Sequence, residues 1–580
     1  MCGIAGFVGD GNKKKLDKML NAIKSRGPDD SGTYISGEVG LGSNRLSIID
    51  LSKNGHQPMF NEDKTMCIVY NGEVYNFLNL RKKLEGKYGG KHKFKSQTDT
   101  EVILHAYEEW GVECLEQLNG MFAFVIYDQK KSLLFGARDR LGEKPLKYYW
   151  DGKLFAFASE VKGLLAMLSA KPKADTQAIN DFLLFNYVPA PKTGFENIFK
   201  LPPASYFLFK DGKLTIKKYW ELDFSKKLNR SEAEWEELIF EKLKESVESR
   251  MIADVPVGAF LSGGIDSGTV VALSSSMSKH KLKTFSLGFD DPDFDESKYA
   301  EQISKIYKTE HYSLKADTEV LKNTLLESYQ HFDEPFADNS LIPTLLLCKM
   351  TSKKVKVALS GDGGDENFGG YERYTALALG NYYKKVPPLV RSFLKLPART
   401  HPAARVFANT LDLPFSQKYL HYNPFSVKNI AGRQVQTYDK KLNDLENAFK
   451  YDISSYLPED LLYKVDIASM AYSLEVRAPF LNHELLRLTA QMPSNLKVKN
   501  FQTKYIFKKI LKEKKILPES IINRKKRGFV SPVGKLLKTE ENGIVREVLL
   551  QKKYLDLFVN RNEGSLFSHV SLSLWAEKYL

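Results

Sequence analysis

Hydrophobic and polar positions divide the chain into two regions with different patterns. In residues 1–165, short runs that alternate or are β-branched, and that end at turn residues, predict β-strands. A period near 3.6 residues predicts helices over 13–25 and 99–110. Strands of this kind flanked by helices predict two sheets packed face to face with helices outside them. The predicted strands span residues 3–8, 40–49, 66–70, 121–127, 132–138 and 154–159.

From residue 232 onward, strands and helices alternate along the chain. This alternation predicts a parallel sheet covered by helices on both faces. The predicted strands are 255–261, 284–289 and 355–359, and the predicted helices are 232–251, 267–278 and 299–307.

The intervening residues 166–230 are rich in proline and contain a hairpin signal at Asp211-Gly212. We expect them to connect the two halves and pack them together. The fold class is therefore predicted to be α/β with two main domains, at residues 1–215 and 230–540, followed by a helical tail at 541–580.

Length and composition exclude several classes of protein. A chain of 580 residues is too long for a single core. It contains no apolar run of ~18 residues that would span a membrane, and no signal peptide is expected. The formal charge is +14, but the lysines are spread along the chain, which argues against nucleic-acid binding. The four cysteines form no metal-binding or CxxC spacing, which favours a reduced, cytoplasmic protein.

Cys2 is the first candidate for chemistry. Removal of Met1 would leave a thiol and a free α-amine on the same residue, and the amine could accept the thiol proton near neutral pH. Chain termini are usually loose, whereas the strand predicted from residue 3 would hold this one in place. We therefore interpret Cys2 as a terminal nucleophile.

Two glycine-rich loops form the second candidate site. Residues 262–267, Ser-Gly-Gly-Ile-Asp-Ser, follow a predicted strand and begin a helix, as a phosphate-binding loop does. They lack the Walker A lysine and resemble the loop of ATP pyrophosphatases. Residues 360–366 follow another strand of the same sheet and open on the same edge. Asp266 and Asp365 are candidates for a shared Mg²⁺, and Asp362 for proton transfer or for holding an acceptor.

Together, these motifs resemble the glutamine-dependent asparagine synthetase family over residues 1–540. The resemblance implies an N-terminal-nucleophile glutaminase domain of αββα architecture, followed by an ATP-dependent synthetase domain with a parallel sheet. The matching motifs are Cys2-Gly3-Ile4, Arg26-Gly27-Pro28-Asp29, Asn71-Gly72-Glu73, Asp99, Ser262–Ser267, Ser360–Glu366, Gly369-Gly370-Tyr371, Lys464-Val465-Asp466 and Ser473–Leu481.

In the first domain, the resemblance implies that Cys2 attacks the glutamine side chain and releases ammonia. Asn71 and Gly72 would form the oxyanion hole. Arg45 would bind the glutamine α-carboxylate and Asp99 its ammonium group, with Ile49 and Glu73 as further glutamine-binding residues.

In the second domain, the resemblance implies that a carboxylate acceptor is activated as an acyl-adenylate and attacked by ammonia, which reaches it through an internal passage. Asp362 and Lys504 would be catalytic, and Asp266 and Asp365 would bind Mg²⁺. The implied partners are small-molecule substrates rather than nucleic acid or a membrane, with a homodimer left open. The implied ATP-binding residues are Phe260, Ser262, Gly263, Gly264, Asp266, Ser267, Leu287, Ser360 and Gly361.

The identity of the acceptor stays open at this point. Aspartate is the first expectation, and a sugar acid or a natural-product precursor is the alternative, because residues 332–340 resemble a subgroup that contains both kinds of enzyme. A regulatory protein without activity and a tRNA-directed enzyme are further alternatives. The chain departs from the usual family pattern at Asn44, Gly268, Ile467 and Asn482. The last two indicate either a lost salt bridge or a changed acceptor pocket.

Overall fold

Three β-sheets organise the protein. The computed structural model describes residues 2–87, 92–383, 386–387, 390, 408–422, 438–526, 528–529, 531–533, 537 and 565–580. Met1, and most of the tail predicted at 541–580, lie outside the described residues. The strands are β1 Cys2–Val8, β2 Asp30–Ser36, β3 Val39–Arg45, β4 Met59–Phe60, β5 Met66–Val74, β6 Gly120–Asp128, β7 Leu133–Arg138, β8 Lys147–Trp150, β9 Phe155–Ala158, β10 Ile198–Lys200, β11 Ser205–Lys210, β12 Lys213–Lys218, β13 Val257–Phe260, β14 Lys283–Phe289, β15 Glu310–Ala316, β16 Val357–Leu359 and β17 Glu475–Arg477.

The first domain is a sandwich of two antiparallel six-stranded sheets. Their strand orders are β10-β8-β9-β1-β3-β2 and β12-β11-β7-β6-β5-β4. Successive side chains of a strand point to opposite faces. In β1, Ile4 therefore packs between the sheets against Val69, whereas Ala5 packs against Leu16 of an outer helix. The predicted αββα layers are present, and their helices are Lys13–Ala22, Phe77–Lys87, Asp99–Trp110, Cys114–Gln117, Val161–Leu165 and Thr176–Phe185.

The segment predicted as a connection contributes strands to this sandwich. β10 extends the first sheet, and β11 and β12 form the predicted hairpin at the edge of the second sheet. The sequence analysis also missed β2, because its polar sequence at a sheet edge leaves most of its side chains partly exposed.

The second domain contains an entirely parallel sheet with the order β15-β14-β13-β16-β17. Buried helices cover both faces, as predicted. Helices 232–250 and 265–277 pack in one hydrophobic core, and helix 341–351 packs in another. The remaining regular segments are helices Ser297–Tyr307, Thr318–Ser328, Gly364–Phe368, Glu372–Tyr383, Phe415–Tyr422, Asp444–Tyr451, Tyr463–Met470, His483–Gln491, Tyr505–Glu513 and Glu519–Ile522, and a π-helix at Asp452–Leu462.

The last described helix, Leu566–Tyr579, packs against both domains. Trp575 is fully buried, packs at a tilt against Phe195 of the first domain and donates its indole N–H to the carbonyl of Asp333 at 3.1 Å. The predicted helical tail therefore stabilises the relative position of the domains. Within the described residues, no helix is both long enough and apolar enough to cross a bilayer.

Two of the departures from the family pattern have structural explanations. Asn482 caps helix 483–491 by accepting the backbone N–H groups of Glu484 and Leu485. A methyl group at Gly268 would contact Ile303 and Leu517, so this glycine faces a packed helix interface rather than the phosphate loop.

Buried ion pairs join the two domains. Arg26 is fully buried, and its guanidinium contacts Glu160 of the first domain at 2.7 Å and Asp466 of the second at 2.8 Å. Burial alone would lower the pKa of Arg26, but the two carboxylates outweigh it and raise the pKa. Arg26 Nε also donates to the carbonyl of Cys2 at 3.2 Å, so one side chain connects the strand that carries Cys2 to the other domain.

Replacement of Arg26 tests this connection. Arg26→Ala would remove the guanidinium that Glu160 and Asp466 share and leave, among the described residues, only the lysine contacts from Lys162 and Lys144 to these buried carboxylates. Breaking a buried pair in this way costs ~3–5 kcal/mol. We expect urea unfolding to begin at a clearly lower concentration than in the parent protein. Asp17→Ala is the control, because it removes an exposed pair with Lys13 and should change stability by ~0.5 kcal/mol at most. Equal effects of the two substitutions would contradict the assignment.

Candidate active sites

Strand register places Cys2 at the first candidate site. In the β1–β3 pair, Cys2 lies directly opposite Arg45, although 43 positions separate them in the sequence. The thiol is buried, and this burial raises its pKa. The backbone nitrogen of Cys2, which becomes the α-amine once Met1 is removed, donates to Asn71 Oδ1 at 2.9 Å. The amine is therefore held beside a thiol that needs a base.

Asn71 and Gly72 lie on β5, which packs against β1 from the second sheet. Among the residues that the structure describes, the Nδ2 group of Asn71 has no hydrogen-bond partner, although the side chain is fully buried. An unsatisfied buried donor is costly unless a ligand uses it. A methyl group at Gly72 would lie 2.2 Å from the carbonyl oxygen of Met121, so only glycine allows this close approach. This geometry suits an oxyanion hole.

Arg45 is fixed by backbone carbonyl groups. Its Nη2 donates to Ile49 at 3.0 Å and Asp50 at 2.7 Å, and its Nη1 donates to Ser52 at 3.3 Å. Gly55 leaves room for the guanidinium, because a methyl group there would lie 2.0 Å from Nη2. The carbonyl group of Ile49 thus helps to orient Arg45, and the predicted part of Ile49 in glutamine binding stays a prediction.

Asp99 and Glu73, two residues predicted to bind glutamine, have different partners in the structure. Asp99 begins helix 99–110, and its Oδ2 accepts the Tyr70 hydroxyl at 2.6 Å and the Val74 N–H at 2.8 Å. Burial raises its pKa despite these hydrogen bonds. Glu73 contacts Arg477 of the second domain at 2.9 Å. The sequence analysis predicted Glu73 to bind glutamine and did not predict this ion pair.

The second candidate site begins where β13 ends. Helix 265–277 starts directly after Gly264, and the hydroxyl groups of Ser262 and Ser267 lie 3.0 Å apart at its N-terminus. Gly263 has a φ of +76° and packs against Tyr299. The backbone N–H groups of the first helical turn are available to an anion here, as in other phosphate-binding loops.

The two glycine-rich loops contact each other. A methyl group at Gly361 would lie 2.8 Å from the backbone nitrogen of Ser267, and one at Gly364 would lie 2.6 Å from Asp266 Oδ1. Phe260 ends β13 and Leu287 lies on the neighbouring β14, so both border the same sheet edge. The structure therefore brings together the residues that the sequence assigned to ATP.

Lys504 lies between the two carboxylates assigned to a metal. Its ammonium group contacts Asp266 at 2.5 Å and Asp365 at 2.7 Å, and Lys526 also contacts Asp365. Burial opposes the charge of Asp365, but the two lysines outweigh it and hold its pKa well below the usual range. Because both carboxylates converge on one cation, the donor set fits a shared Mg²⁺.

A small cavity of about 20 Å³ lies at the boundary between the domains. Its wall includes Glu143 and Lys144 from the first domain, and Asp362 and Asp466 from the second. Burial is the main cause of a raised pKa at Asp362. The sequence analysis missed Glu143 and Lys144. The sequence feature that could have indicated these two residues is the charged run at 138–144, at the end of an apolar strand. In the structure the whole run is buried.

Glu143 makes the stability of the protein depend on pH. Burial, followed by the charge of Asp139, raises its pKa from 4.5 to about 8. Between these pH values the folded state binds more protons than the unfolded state, so the stability present below pH 4.5 is lost as the pH rises towards 8.

Glu143→Gln removes this titration. We expect the variant to gain stability relative to the parent as the pH rises from 5 to 8, by up to ~1.4 kcal/mol per pH unit. Denaturant unfolding at several pH values measures the difference, and Glu38→Gln on an exposed turn is the control. A difference that does not change with pH would contradict the raised pKa.

Comparisons with known proteins follow the division into two domains. The family model described as "Glutamine amidotransferase domain" matches residues 1–220, and the model described as "Asparagine synthase" matches residues 238–577. The chain is 35% identical to asparagine synthetase [glutamine-hydrolyzing] 1 of Bacillus subtilis (strain 168), over 96% of this chain and 92% of that protein.

Two further relatives cover nearly the whole chain. Asparagine synthetase [glutamine-hydrolyzing] 3 of the same organism is 31% identical, over 98% of this chain and 94% of the relative. The amidase chyE of Penicillium rubens is 28% identical, over 92% of this chain and 89% of the relative. The predicted two-domain α/β fold and the class of enzyme, an ATP-dependent ligase with glutamine as nitrogen donor, are thus confirmed. The chain belongs to the glutamine-hydrolysing asparagine synthetase family.

Proposed function

We propose that this enzyme converts aspartate, ATP and glutamine into asparagine, AMP, pyrophosphate and glutamate. The observation that carries the proposal is the position of Cys2 beside the buried, unsatisfied amide of Asn71, in a chain whose second domain joins two phosphate-type loops at one sheet edge. The name of the Bacillus subtilis relative supports aspartate as the acceptor.

In the proposed glutaminase step, the α-amine of Cys2 accepts the thiol proton, and the thiolate attacks the carboxamide of glutamine. The negative charge that develops on the oxygen is stabilised by Asn71 Nδ2 and the N–H group of Gly72, and one such donor is worth ~3 kcal/mol in other enzymes. Collapse of this intermediate breaks the C–N bond, and the protonated α-amine gives its proton to the leaving ammonia. Water then hydrolyses the thioester, which releases glutamate and restores Cys2. Arg45, already oriented by carbonyl groups, binds the α-carboxylate, and Asp99 binds the ammonium group.

In the proposed synthetase step, the acceptor carboxylate attacks the α-phosphate of ATP, and pyrophosphate leaves into the loop formed by residues 262–267. Lys504 stabilises the charge on the phosphate oxygens. Bound Mg²⁺, held by Asp266 and Asp365, would supply further charge compensation there. Four buried, free cysteine thiols are compatible with action in the cytoplasm.

Ammonia must then pass from the first site to the second. The cavity lined by Glu143 and Asp362 lies between the sites, and we propose that it forms part of this passage. Asp362 belongs to the second glycine-rich loop and lines the cavity, and its raised pKa suits a group that accepts a proton from the attacking nitrogen.

A second candidate keeps the same chemistry and changes the acceptor. The amidase from Penicillium rubens is similar over most of its length, so members with other activities share this architecture. Lys464 contacts Ser340 at 2.5 Å and also pairs with Asp338, both in the segment where the acceptor pocket is expected. A sugar acid or another carboxylate would also need such a cation.

Cys2→Ala separates the two half-reactions. We expect the variant to lose glutamine hydrolysis and to retain aspartate-dependent AMP formation when ammonium chloride replaces glutamine, because the synthetase site is unchanged. Amino-acid analysis and AMP release measure the two reactions. Aspartate would be rejected as the acceptor if it gave no AMP while a sugar acid in the same panel did.

Gly72→Ala tests the oxyanion hole without removing a polar group. The added methyl group would displace the backbone away from Met121, and a displacement near 1 Å costs ~10²-fold in rate. We expect glutamine hydrolysis to fall by about that factor, with ammonia-dependent synthesis unchanged. Gly86→Ala is the matched control, because its methyl group would meet open space. Equal glutaminase rates in the two variants would contradict the proposed role.

A further inference from the structure

Two histidines and two glutamates form a compact cluster in the first domain that neither reaction uses. His105 and Glu108 lie on helix 99–110, His92 precedes that helix, and Glu62 lies on the turn between β4 and β5. One nitrogen or oxygen atom from each of the four side chains lies within 4.8 Å of all the others. Imidazole and carboxylate groups at this spacing are typical of a transition-metal site.

The contacts within the cluster converge on the Nδ1 atoms of the two imidazoles. His105 Nδ1 is 2.6 Å from Glu108 Oε2 and 3.9 Å from Glu62 Oε2. His92 Nδ1 is 3.4 Å from the same oxygen of Glu108. The two rings lie side by side, with centroids 4.5 Å apart. Small side-chain rotations would bring the four atoms to the distances required around one ion.

Three of the four side chains also have an outer hydrogen-bond partner that fixes their orientation, whereas His105 Nε2 has none among the described residues. Three of the outer contacts are hydrogen bonds of 2.7 to 3.0 Å: His92 Nε2 to Glu109, Glu108 Oε1 to the amide of Asn61, and Glu62 Oε1 to the N–H group of Lys93. Glu101 lies 3.9 Å from His105 Nε2. Carboxylates behind imidazoles orient the rings of metal-binding histidines and raise their basicity.

Burial and charge also favour a cation. Both histidines are buried, whereas the Glu62 side chain remains about one-third exposed and gives access from solvent. Glu62, Glu101, Glu108 and Glu109 surround two imidazoles that are neutral in the metal-binding form. The ring of Phe94 packs edge-on against His105 and carries no charge that could balance these carboxylates. A divalent ion would compensate this concentration of negative charge.

We propose that His92, His105, Glu62 and Glu108 bind one Zn²⁺ ion per chain and that the site is structural. Four protein ligands complete a tetrahedral coordination and leave no position for a substrate. The ion would attach the segment before Asp99, and the turn carrying Glu62, to the helix that begins at Asp99. It would therefore stabilise the helix that presents Asp99 to the glutamine site.

Zinc binding by the full-length chain tests the proposal. Cys2→Ala serves as the parent, because a terminal thiol and amine could bind zinc themselves, and millimolar Mg²⁺ is present to occupy the oxygen-rich site of the second domain. After chelator treatment, Zn²⁺ is titrated against a chromophoric chelator, and bound metal is counted by mass spectrometry. We expect one tightly bound Zn²⁺ per chain and a higher melting temperature with zinc.

Variants distinguish this site from other zinc-binding groups. In the same background, His105→Gln and His92→Gln should lose the bound ion and the zinc-dependent rise in melting temperature. Glu109→Gln leaves the four ligands in place and should weaken affinity by ~10–100-fold, as removal of an outer partner does. His56→Gln, on an exposed histidine paired with Asp30, should bind zinc like the parent.

Two outcomes would overturn the proposal. One is the absence of zinc uptake at micromolar concentration in the Cys2→Ala parent. The other is equal uptake after both histidines are replaced, in protein that still performs ammonia-dependent synthesis.

Discussion

The position of Arg26 is the constraint on which both sites depend. Its guanidinium is buried among the carbonyl of Cys2, Glu160 of its own domain and Asp466 of the other. A guanidinium without carboxylate partners could not be kept in such an environment, because the desolvation of a charge costs several kcal/mol. The two domains must therefore dock in one register to satisfy it. The strand that carries Cys2 is held by the same side chain.

Further buried ion pairs between the two domains also require one docked arrangement. Glu73, next to Gly72, pairs with Arg477 on β17 of the parallel sheet. Lys147 and Lys200 of the first domain contact Glu334 of the second. Such pairs add little net stability compared with apolar packing, but they penalise every alternative arrangement that leaves a charge alone. An interface built in this way suits the proposed transfer of ammonia from one domain to the other.

The sequence predicted the elements that a local pattern encodes, and it missed those that depend on distant partners. Helix 99–110 and the hairpin at Asp211-Gly212 follow from periodicity and turn residues, and the structure confirms both. β17 has only three residues, with charged side chains at both ends, so no hydrophobic pattern marks it. Those charges are buried only because Glu475 and Arg477 pair with each other and Arg477 also reaches Glu73.

The same contrast between local patterns and distant partners applies to the candidate sites. Motifs identified Cys2, Arg45 and Asn71 as residues of interest, but only the antiparallel register brings Cys2 opposite Arg45. Glu73 was assigned to glutamine alone, because its partner Arg477 is 404 positions away in the sequence. Glu143 was not identified, because its chemistry arises from burial at the domain boundary rather than from a motif.

The charge balance of the second site determines how ligands can enter it. Asp266 and Asp365 are compensated by Lys504, and Asp365 also by Lys526, so the protein itself provides the cations that these carboxylates require. A metal ion that binds both carboxylates must therefore replace the ammonium group of Lys504 on at least one oxygen atom. The released lysine needs a new anion within reach, and a phosphate at the neighbouring loop 262–267 provides one. Binding of a metal and of a phosphate should consequently be cooperative, because the phosphate supplies the anion that the displaced Lys504 needs.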